Sequence, residues 1–489
     1  MTDDRSGETL FELTDGGVEP GAVRAAAGRS KVFRRYDPDQ SFLMPPSLDD
    51  WLPQGHTARF VAEVVDDLLD LSPVYDSYVE ASGAPPYDPT MMLKLLLYAY
   101  STGVTSSREM ERRCHVDVAF RWLAANSAPD YRSIARFRRR HLVALDDLFI
   151  QVLVLCSEAG LVSLGRVALD GTKLRASASR HKAMSYGRLG PRITQLQDEV
   201  AAILADAEAV DRAEDEAFGE DRRGDEVPPE LARRETRLVK LRAAKEAIEA
   251  EAADRAAKAA AGKAAENGGD DTQIAEAAEA AAAGATPADR TQRNFTDPES
   301  RMMKTNDGFH YAYNAQAVVD EHSQVILAAK VTDQAGDVAQ LIPMIDAATG
   351  NLGDAGIGSA PRVLLADAGY CSQDNLEGVA DAEIDALIAT GRIRRNERVP
   401  DTPRGPIPKD ATRRERMARR LRTKAGRVDY ARRKAIVEPV FGQMKVRQHA
   451  GHLRLRGITG AQGEWTLHAI CHNLRKLANA ANAAPAAAT

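Results

Sequence analysis

The amino-acid sequence predicts an α/β fold that is preceded by an all-α segment and interrupted by a helical insertion. Three observations lead to this prediction. Apolar residues recur at helical spacing before residue 160, and short apolar strands alternate with helices after it. A stretch of helical composition, rich in alanine and glutamate, separates the first strand from the others.

The composition excludes several classes of protein. The chain has 489 residues, of which 44% are hydrophobic and 28% charged, as in soluble globular proteins. Its four cysteines form no Cys-x-x-Cys pair, so we expect neither a disulfide framework nor a zinc ribbon, and a cytoplasmic location. The amino terminus is acidic, unlike a signal peptide, and the longest apolar run, 91–100, is half of the ~20 residues that span a membrane. We expect no membrane function.

The net charge of −6 conceals two opposed regions. Residues 191–300 contain 15 basic against 26 acidic side chains, a net charge of −11. Residues 392–456 contain 21 against 6, a net charge of +15. The second region can neutralise many phosphates, which indicates nucleic acid as a partner.

The amino-terminal segment is predicted to contain helices at 56–72 and 90–101. Two further helices are expected, each beginning after an N-cap residue. Ser106, three residues before Glu109, indicates a capping box, and Ser133 is the expected N-cap of a basic helix. In that helix the apolar residues share one face, and four arginines are expected to point elsewhere: Arg136, Arg138, Arg139 and Arg140. A DNA-binding bundle and an ordinary helical domain with a solvated arginine face fit these residues equally well.

Strands and helices alternate in the remainder of the chain. The apolar run 167–169 ends at Asp170, and the run 363–365 ends at Asp367. Further elements are expected as two strands within 309–332, a helix at 374–383, a strand at 384–390, helices from near 413 and over 429–447, and a closing helix at 464–480. The interruption, 183–300, reads as a long exposed helical hairpin in which we expect no chemistry.

Asp170 and Asp367 each stand at the carboxyl end of an apolar strand, where α/β sheets present reactive groups. Two such carboxylates can share divalent cations, and a pair of ions about 4 Å apart stabilises both oxygens of an in-line phosphoryl displacement. Glu438 is the candidate for a third carboxylate. Taken singly, each is more typical of a strand-end turn or of the surface.

The helix around Glu438 supports this choice. Tyr430, Lys434 and Glu438 recur every four residues, and Lys445 follows seven residues later, so all four share a face. Pro439 disfavours helical geometry at the residue before it, so we expect the helix to begin or kink there. A solvated basic helix is the alternative.

Other polar residues are assigned to structure. Asp320 is expected in a hairpin turn and Asp337 at a helix cap, while His468 and His472 have zinc-binding spacing but no third ligand. The phosphate-loop pattern G-x-x-x-x-G-K-[ST] is absent, so no nucleotide cofactor is expected.

The ordered motifs VALDGTKLRASAS, YNAQAVVD, LLADAGYCS and Y…RRKAIVEPVFGQMK resemble those of the DDE transposases of bacterial insertion sequences. The block PPYDPTMMLKLLLYAYSTGVTSSREMERRC, with APDYRSIARFRRRH, is similar to the helical domain that precedes their catalytic core. The resemblance covers about 43–185 and 297–478.

The resemblance implies a ribonuclease H-like mixed sheet and metal-dependent cutting and joining of DNA at the inverted-repeat ends of a mobile element. Asp170, Asp367 and Glu438 would be the catalytic, metal-binding carboxylates, with Mg²⁺ or Mn²⁺ as the cofactor. DNA ends and target DNA would be the partners, with a dimer on DNA and a place at the nucleoid. The implied division is a disordered lead-in (1–40), a helical DNA-binding domain (41–160), a catalytic domain (161–182 and 301–478), the insertion (183–300) and a disordered tail (479–489).

The resemblance also implies that Tyr430, Arg433 and Lys445 belong to the signature around the glutamate. This sequence departs from the family signature in the spacing of its arginine. The usual signature has three residues between its arginine and its glutamate, whereas four separate Arg433 from Glu438, and Lys434 has the expected spacing. Both remain candidates for DNA contact, together with Arg136 and Arg139.

Two other functions fit the same fold. The chain could be an inert or regulatory DNA-binding protein, or a nuclease that hydrolyses DNA without joining strands. The presence of all three carboxylates argues against the inert form.

Overall fold

The computed structural model describes residues 47–78, 85–179, 182–218, 229–305, 307–358, 360–391 and 402–483. The chain divides into two units, Met1–Trp51 and Leu52–Thr489. The described part of the first unit is the short helix α1 (Leu48–Trp51) and the residue before it. The predicted lead-in at 1–40 and the end of the predicted tail, 484–489, lie outside the described residues.

The second unit begins with helices. Their bounds are α2 (Thr57–Glu63), continued by a π-helical turn at Val64–Leu68, α3 (Ser72–Tyr75), α4 (Pro89–Ser101), α5 (Ser107–Val116), α6 (Val118–Leu123), α7 (Tyr131–Arg140) and α8 (Ala144–Glu158). The start of α4 shows why the sequence folds this way. Asp88 accepts a hydrogen bond from the backbone N–H of Met91, and Pro89 takes the first helical position, where no donor is needed.

Three predictions in this segment are wrong. Ser106 is the N-cap residue of α5 as predicted, but it forms no capping box: its side chain makes no capping hydrogen bond, and the Glu109 carboxylate accepts from Arg112 and Arg113 instead. The N-cap of α7 is Asp130, not Ser133, since its carboxylate reaches the backbone of the first turn. Arg138 is buried rather than on the outer face of α7.

The sheet follows. The strands are β1 (Arg166–Arg175), β2 (Ala183–Ser185), β3 (Gln292–Asn294), β4 (Arg301–Thr305), β5 (Gly308–Asp320), β6 (Ile326–Thr332), β7 (Val363–Ala366) and β8 (Ala386–Ile388). Six of them form one mixed sheet in the order β4-β5-β1-β7-β8, with β6 also paired to β5. Strands β1, β7 and β8 are parallel, and β5 is antiparallel to its three neighbours. The predicted α/β class is confirmed.

The insertion contains three helices, α9 (Tyr186–Phe218), α10 (Pro229–Glu266) and α11 (Asp271–Ala283), and not the predicted hairpin of two. Glycines at 268 and 269, after α10, end that helix and allow the extra turn to α11. Strands β2 and β3, at the two ends of the insertion, pair with each other in antiparallel orientation. Helices α9 and α10 have an apolar cluster separate from the main core, formed by Leu189, Ile193, Leu196, Leu238, Leu241 and Ile248.

The remaining helices pack on the sheet or continue its connections. They are α12 (Leu341–Asp354), α13 (Gln373–Asp381), α14 (Arg413–Arg422), α15 (Lys424–Arg447) and α16 (Gly457–Ala483), with 3-10 turns at Val338–Gln340 and Ala368–Tyr370. Helix α16 is buried along most of its length and packs against α4, α8 and β6. It therefore belongs to the core of the helical segment and to that of the sheet, and the domain boundaries given above stay predictions.

Helix α15 does not begin at Pro439; it continues through that residue. The proline cannot donate to the carbonyl of Ala435, but the side-chain amide of Gln324 donates to that carbonyl at 3.0 Å instead. This outside partner satisfies the acceptor that the proline leaves. In the described part of the chain, no helix is both long enough and apolar enough to cross a membrane.

Candidate active site

Two aspartates lie at the same level on neighbouring parallel strands. The register of β1 and β7 pairs Leu169 with Ala366, so Asp170 and Asp367 follow directly, side by side. Neighbouring strands are about 4.8 Å apart, which brings the two carboxylates into one site. The structure therefore places both predicted aspartates together where the parallel pairing of β1 and β7 ends. Asp367 follows the end of β7, but β1 continues to Arg175, so Asp170 lies within its strand and not at the predicted carboxyl end.

Asp170 is held by two donors. One carboxylate oxygen accepts from the backbone N–H of Gly171 at 2.8 Å, and the other accepts from Nη1 of Arg433 at 2.8 Å. Burial raises the pKa of Asp170, the charge of Arg433 opposes this, and the nearby charge of Asp367 adds to the rise. The site thus combines a partly desolvated carboxylate with a cation that stabilises its ionised form.

The guanidinium of Arg433 lies between two carboxylates. Its Nη1 contacts Asp170, and its Nη2 is 3.9 Å from Oε1 of Glu438. Burial lowers the pKa of Arg433, but the charges of Asp170, Tyr430 and Asp367 outweigh burial, and the net shift is upward. Glu438 itself is 54% exposed.

Helix α15 brings Arg433, not Lys434, to the aspartates. Arg433 is on the buried side of the helix with Ile436 and Val437, whereas Lys434 is exposed. Burial raises the pKa of Tyr430, and the nearby charge of Arg433 opposes this rise. Arg433, which contacts Asp170, lies beside the predicted face of Tyr430, Lys434 and Glu438, because one residue along a helix turns a side chain by about 100°. Contact of Arg433 and Lys434 with DNA stays a prediction.

The other predicted residues divide into two groups. Nζ of Lys445 donates to Oγ1 of Thr172, two residues beyond Asp170, and burial lowers the pKa of this lysine. Arg136 and Arg139 are exposed on α7 and have no hydrogen bond or ion pair with the three carboxylates. They are not part of this site.

Asp337 was expected to cap a helix, but its side chain makes no capping bond. Its Oδ1 instead accepts from Nδ2 of Asn314 at 2.7 Å, Nε2 of Gln316 at 3.0 Å and Nζ of Lys173 at 3.2 Å. The buried hydroxyl of Tyr370 donates to the other end of Gln316. The sequence does contain a signal for this cluster, since two amides alternate on an otherwise apolar strand.

Gly171, directly after Asp170, and Gly369, two residues after Asp367, leave room for this cluster. A Cβ atom on Gly171 would lie 2.3 Å from Nε2 of Gln316, and one on Gly369 would lie 2.9 Å from Oδ1 of Asp367. A side chain at either position would therefore displace one of these polar side chains from its present place.

The histidines and Asp320 are structural. His468 and His472 are buried, and burial lowers their pKa values to about 3 and about 4. Asp320 is buried and accepts from the backbone of Leu164 and His322, as a turn residue does. Within the described ranges no three histidine, cysteine or acidic side chains are grouped closely enough to hold a metal ion.

The chain matches two protein families. Residues 46–140 match the family described as transposase domain (DUF772), and residues 284–474 match the transposase DDE domain. The second match ends within α16 and includes β4 to β8, in agreement with a ribonuclease H-like α/β core. Searches of curated proteins and of solved structures found no match.

Proposed function

Because the chain belongs to the DDE transposases of the insertion-sequence type, we propose that it cuts DNA at the ends of its element and joins them to target DNA. The observation that carries this proposal is the pairing of Asp170 with Asp367 on adjacent parallel strands, beside Glu438 on α15. We propose these three carboxylates as the catalytic residues.

The three side chains are not grouped as a metal site among the described residues, but their chemistry fits a hard divalent cation. All three offer oxygen ligands, which Mg²⁺ prefers and Mn²⁺ accepts. The guanidinium of Arg433, which contacts Asp170 and lies 3.9 Å from Glu438, supports the proposal that these carboxylates face a positive charge. When bound, such ions activate water and stabilise the oxygen that leaves phosphorus.

The basic residues around the carboxylates act on the phosphates. Arg433 and Tyr430 lie beside Asp170 and would orient the phosphodiester that is cut. Lys445, held by Thr172, would contact the next phosphate along the strand. Lys434, which is exposed, would contact the DNA backbone away from the carboxylates.

We assign recognition of the element's ends to the helical segment. Arg136 and Arg139 are exposed on α7, where they are accessible to DNA, and the N-cap Asp130 fixes the start of this helix. Both ends of an element must be handled together, so we propose a dimer on DNA, acting at the nucleoid in the cytoplasm. A solvated arginine face remains the alternative for these two residues.

A transposition assay in cells tests the function. The protein is supplied in trans to a resistance marker flanked by the element's own ends, and new junctions are sequenced. We expect junctions with the wild type and none with Asp170→Asn, Asp367→Asn or Glu438→Gln, although the variants still bind the ends. Broken ends without junctions would indicate the nuclease, and binding without breakage would indicate the regulator.

A further inference from the structure

A cleft of about 540 Å³ opens beside Asp170 and follows β1 beyond it. Gly171, the residue after Asp170, lines the cleft, and Arg175 lines it four residues further along the strand. The other walls are the end of β4, the β4–β5 turn, the end of α15 and the loop that follows. The cleft therefore adjoins the proposed catalytic carboxylates, none of which lines it, and it shares Lys445 with the proposed site.

The lining of the cleft is strongly basic. It contains four lysine or arginine side chains and two histidines, but a single carboxylate, that of Asp307; the basic residues are Lys173, Arg175, Lys304, Lys445, His449 and His452. Within the described residues, Lys304 and Lys445 have no carboxylate partner, whereas Lys173 is paired with Asp337. A concave surface of one charge focuses the field and attracts ions of opposite charge.

The size of the cleft suits a nucleic-acid strand. A β-strand rises about 3.4 Å per residue, so Arg175 lies about 17 Å from Asp170 along β1. Each nucleotide of a strand advances the duplex by 3.4 Å along its axis, so a path of this length parallel to the duplex axis passes about five nucleotides. The lysines and the arginine are thus spaced along a path that several successive phosphates can follow.

Asp307 occupies the far end of this path. It lies in the turn between β4 and β5, where it forms an ion pair with Arg175 and comes within 3.5 Å of Nε2 of His310. Its carboxylate is thus the anion that Arg175 holds when DNA is absent. A phosphate that enters the cleft would compete with it for the same guanidinium.

We propose that this cleft binds the phosphate backbone of the DNA strand next to the cut, and that Asp307 is a built-in competitor for its far end. The proposal rests on the proposed function, since it takes DNA to be the substrate. It assigns to Arg175 and Lys304 contacts that carry no sequence information. The proposal also predicts that removing one of these cations lowers the affinity for DNA, whereas removing the carboxylate of Asp307 raises it.

The test is binding of a fluorescein-labelled DNA duplex of arbitrary sequence, followed by anisotropy at several salt concentrations in EDTA. Arg175→Gln and Lys304→Gln should each weaken binding and reduce the slope of log affinity against log salt by about 0.9. Asp307→Asn should tighten binding, because it removes the competing carboxylate. Lys258→Gln, on the acidic insertion, is the matched control and should change neither quantity.

The outcomes separate the two proposals. Unchanged slopes in Arg175→Gln and Lys304→Gln would overturn the cleft as a DNA site while leaving the transposase function intact. Weaker binding by Asp307→Asn would overturn its role as a competitor, and a damaged fold cannot imitate the expected gain. If the wild type bound no DNA at all, the proposed function would fail together with the cleft.

Discussion

Arg433 lies against two of the three proposed catalytic carboxylates. It is buried, it donates to Asp170, and its second terminal nitrogen faces Glu438. Its neighbour Lys434 has the spacing typical of the family signature but is exposed. The two residues have similar charge and adjacent positions, so they form a matched pair for experiment.

We predict that Arg433→Gln lowers the rate of DNA cleavage by about 10²–10³-fold, as is usual when a preorganised donor to a reacting group is lost. Lys434→Gln should change the rate by no more than about threefold, since a single exposed phosphate contact contributes little. Single-turnover cleavage, with circular dichroism to check the fold, measures both. Equal losses of cleavage rate in the two variants would contradict the placement of Arg433, and not Lys434, beside Asp170.

The sequence predicts the aspartates better than their partners. An apolar run that ends in Asp locates both Asp170 and Asp367, although it marks the end of the strand only for Asp367, because β1 continues to Arg175. The choice between Arg433 and Lys434 depends on a rotation of about 100°, which spacing alone cannot fix. Asp337 was missed because its partners Lys173 and Asn314 are brought to it only by the folded sheet.

At the scale of elements, α15 is held together across Pro439 by a residue from another element. Gln324, in the turn between β5 and β6, donates to the carbonyl of Ala435, and its own backbone carbonyl accepts from Nε2 of His472 on α16. One turn residue thus connects the two long helices. This explains how a proline is tolerated directly after Glu438.

A double-mutant cycle tests this account. Gln324→Ala should lower the free energy of unfolding by about 1 kcal/mol, because the carbonyl of Ala435 loses its donor. In a Pro439→Ala background that carbonyl has its helical partner, and the same change should cost measurably less. Urea unfolding gives both values. Identical costs in the two backgrounds would show that Gln324 does not compensate for the proline.

Elements with an apolar run or a helical composition were predictable, and short strands without an apolar run were not. The helices of the insertion follow from their alanine-rich composition, and the strands around Asp170 and Asp367 follow from their apolar runs. Strands β2, β3 and β4 have three to five residues with several polar side chains. They exist only because a partner strand lies beside them, and no local pattern marks them.

At the scale of the whole molecule, a buried polar chain joins the helical segment to the end of the protein. Nη1 of Arg138 donates to the hydroxyl of Tyr100 at 2.7 Å, and that hydroxyl donates to Glu464 on α16 at 2.9 Å. The second oxygen of Glu464 accepts from the backbone N–H groups of Arg454 and Leu455. Burial raises the pKa of Glu464, and the charge of Arg138 opposes this rise.

Removing the cation should therefore destabilise the whole unit. We predict that Arg138→Met lowers the free energy of unfolding by about 3 kcal/mol, because Glu464 keeps its burial and loses its nearby positive charge. Arg139→Met, one residue away and exposed, should change it by less than about 0.5 kcal/mol. Urea denaturation of both variants provides the comparison. A similar small effect in both would mean that the buried chain contributes little to stability.

The most direct test of the central claim uses purified protein and a labelled duplex that carries the element's own end. We predict cutting and joining with Mg²⁺ and neither in chelator. Both steps should be lost in Asp170→Asn, Asp367→Asn and Glu438→Gln while binding of the end persists. Cutting that survives any one of these three substitutions would contradict the assignment of that carboxylate to the reaction.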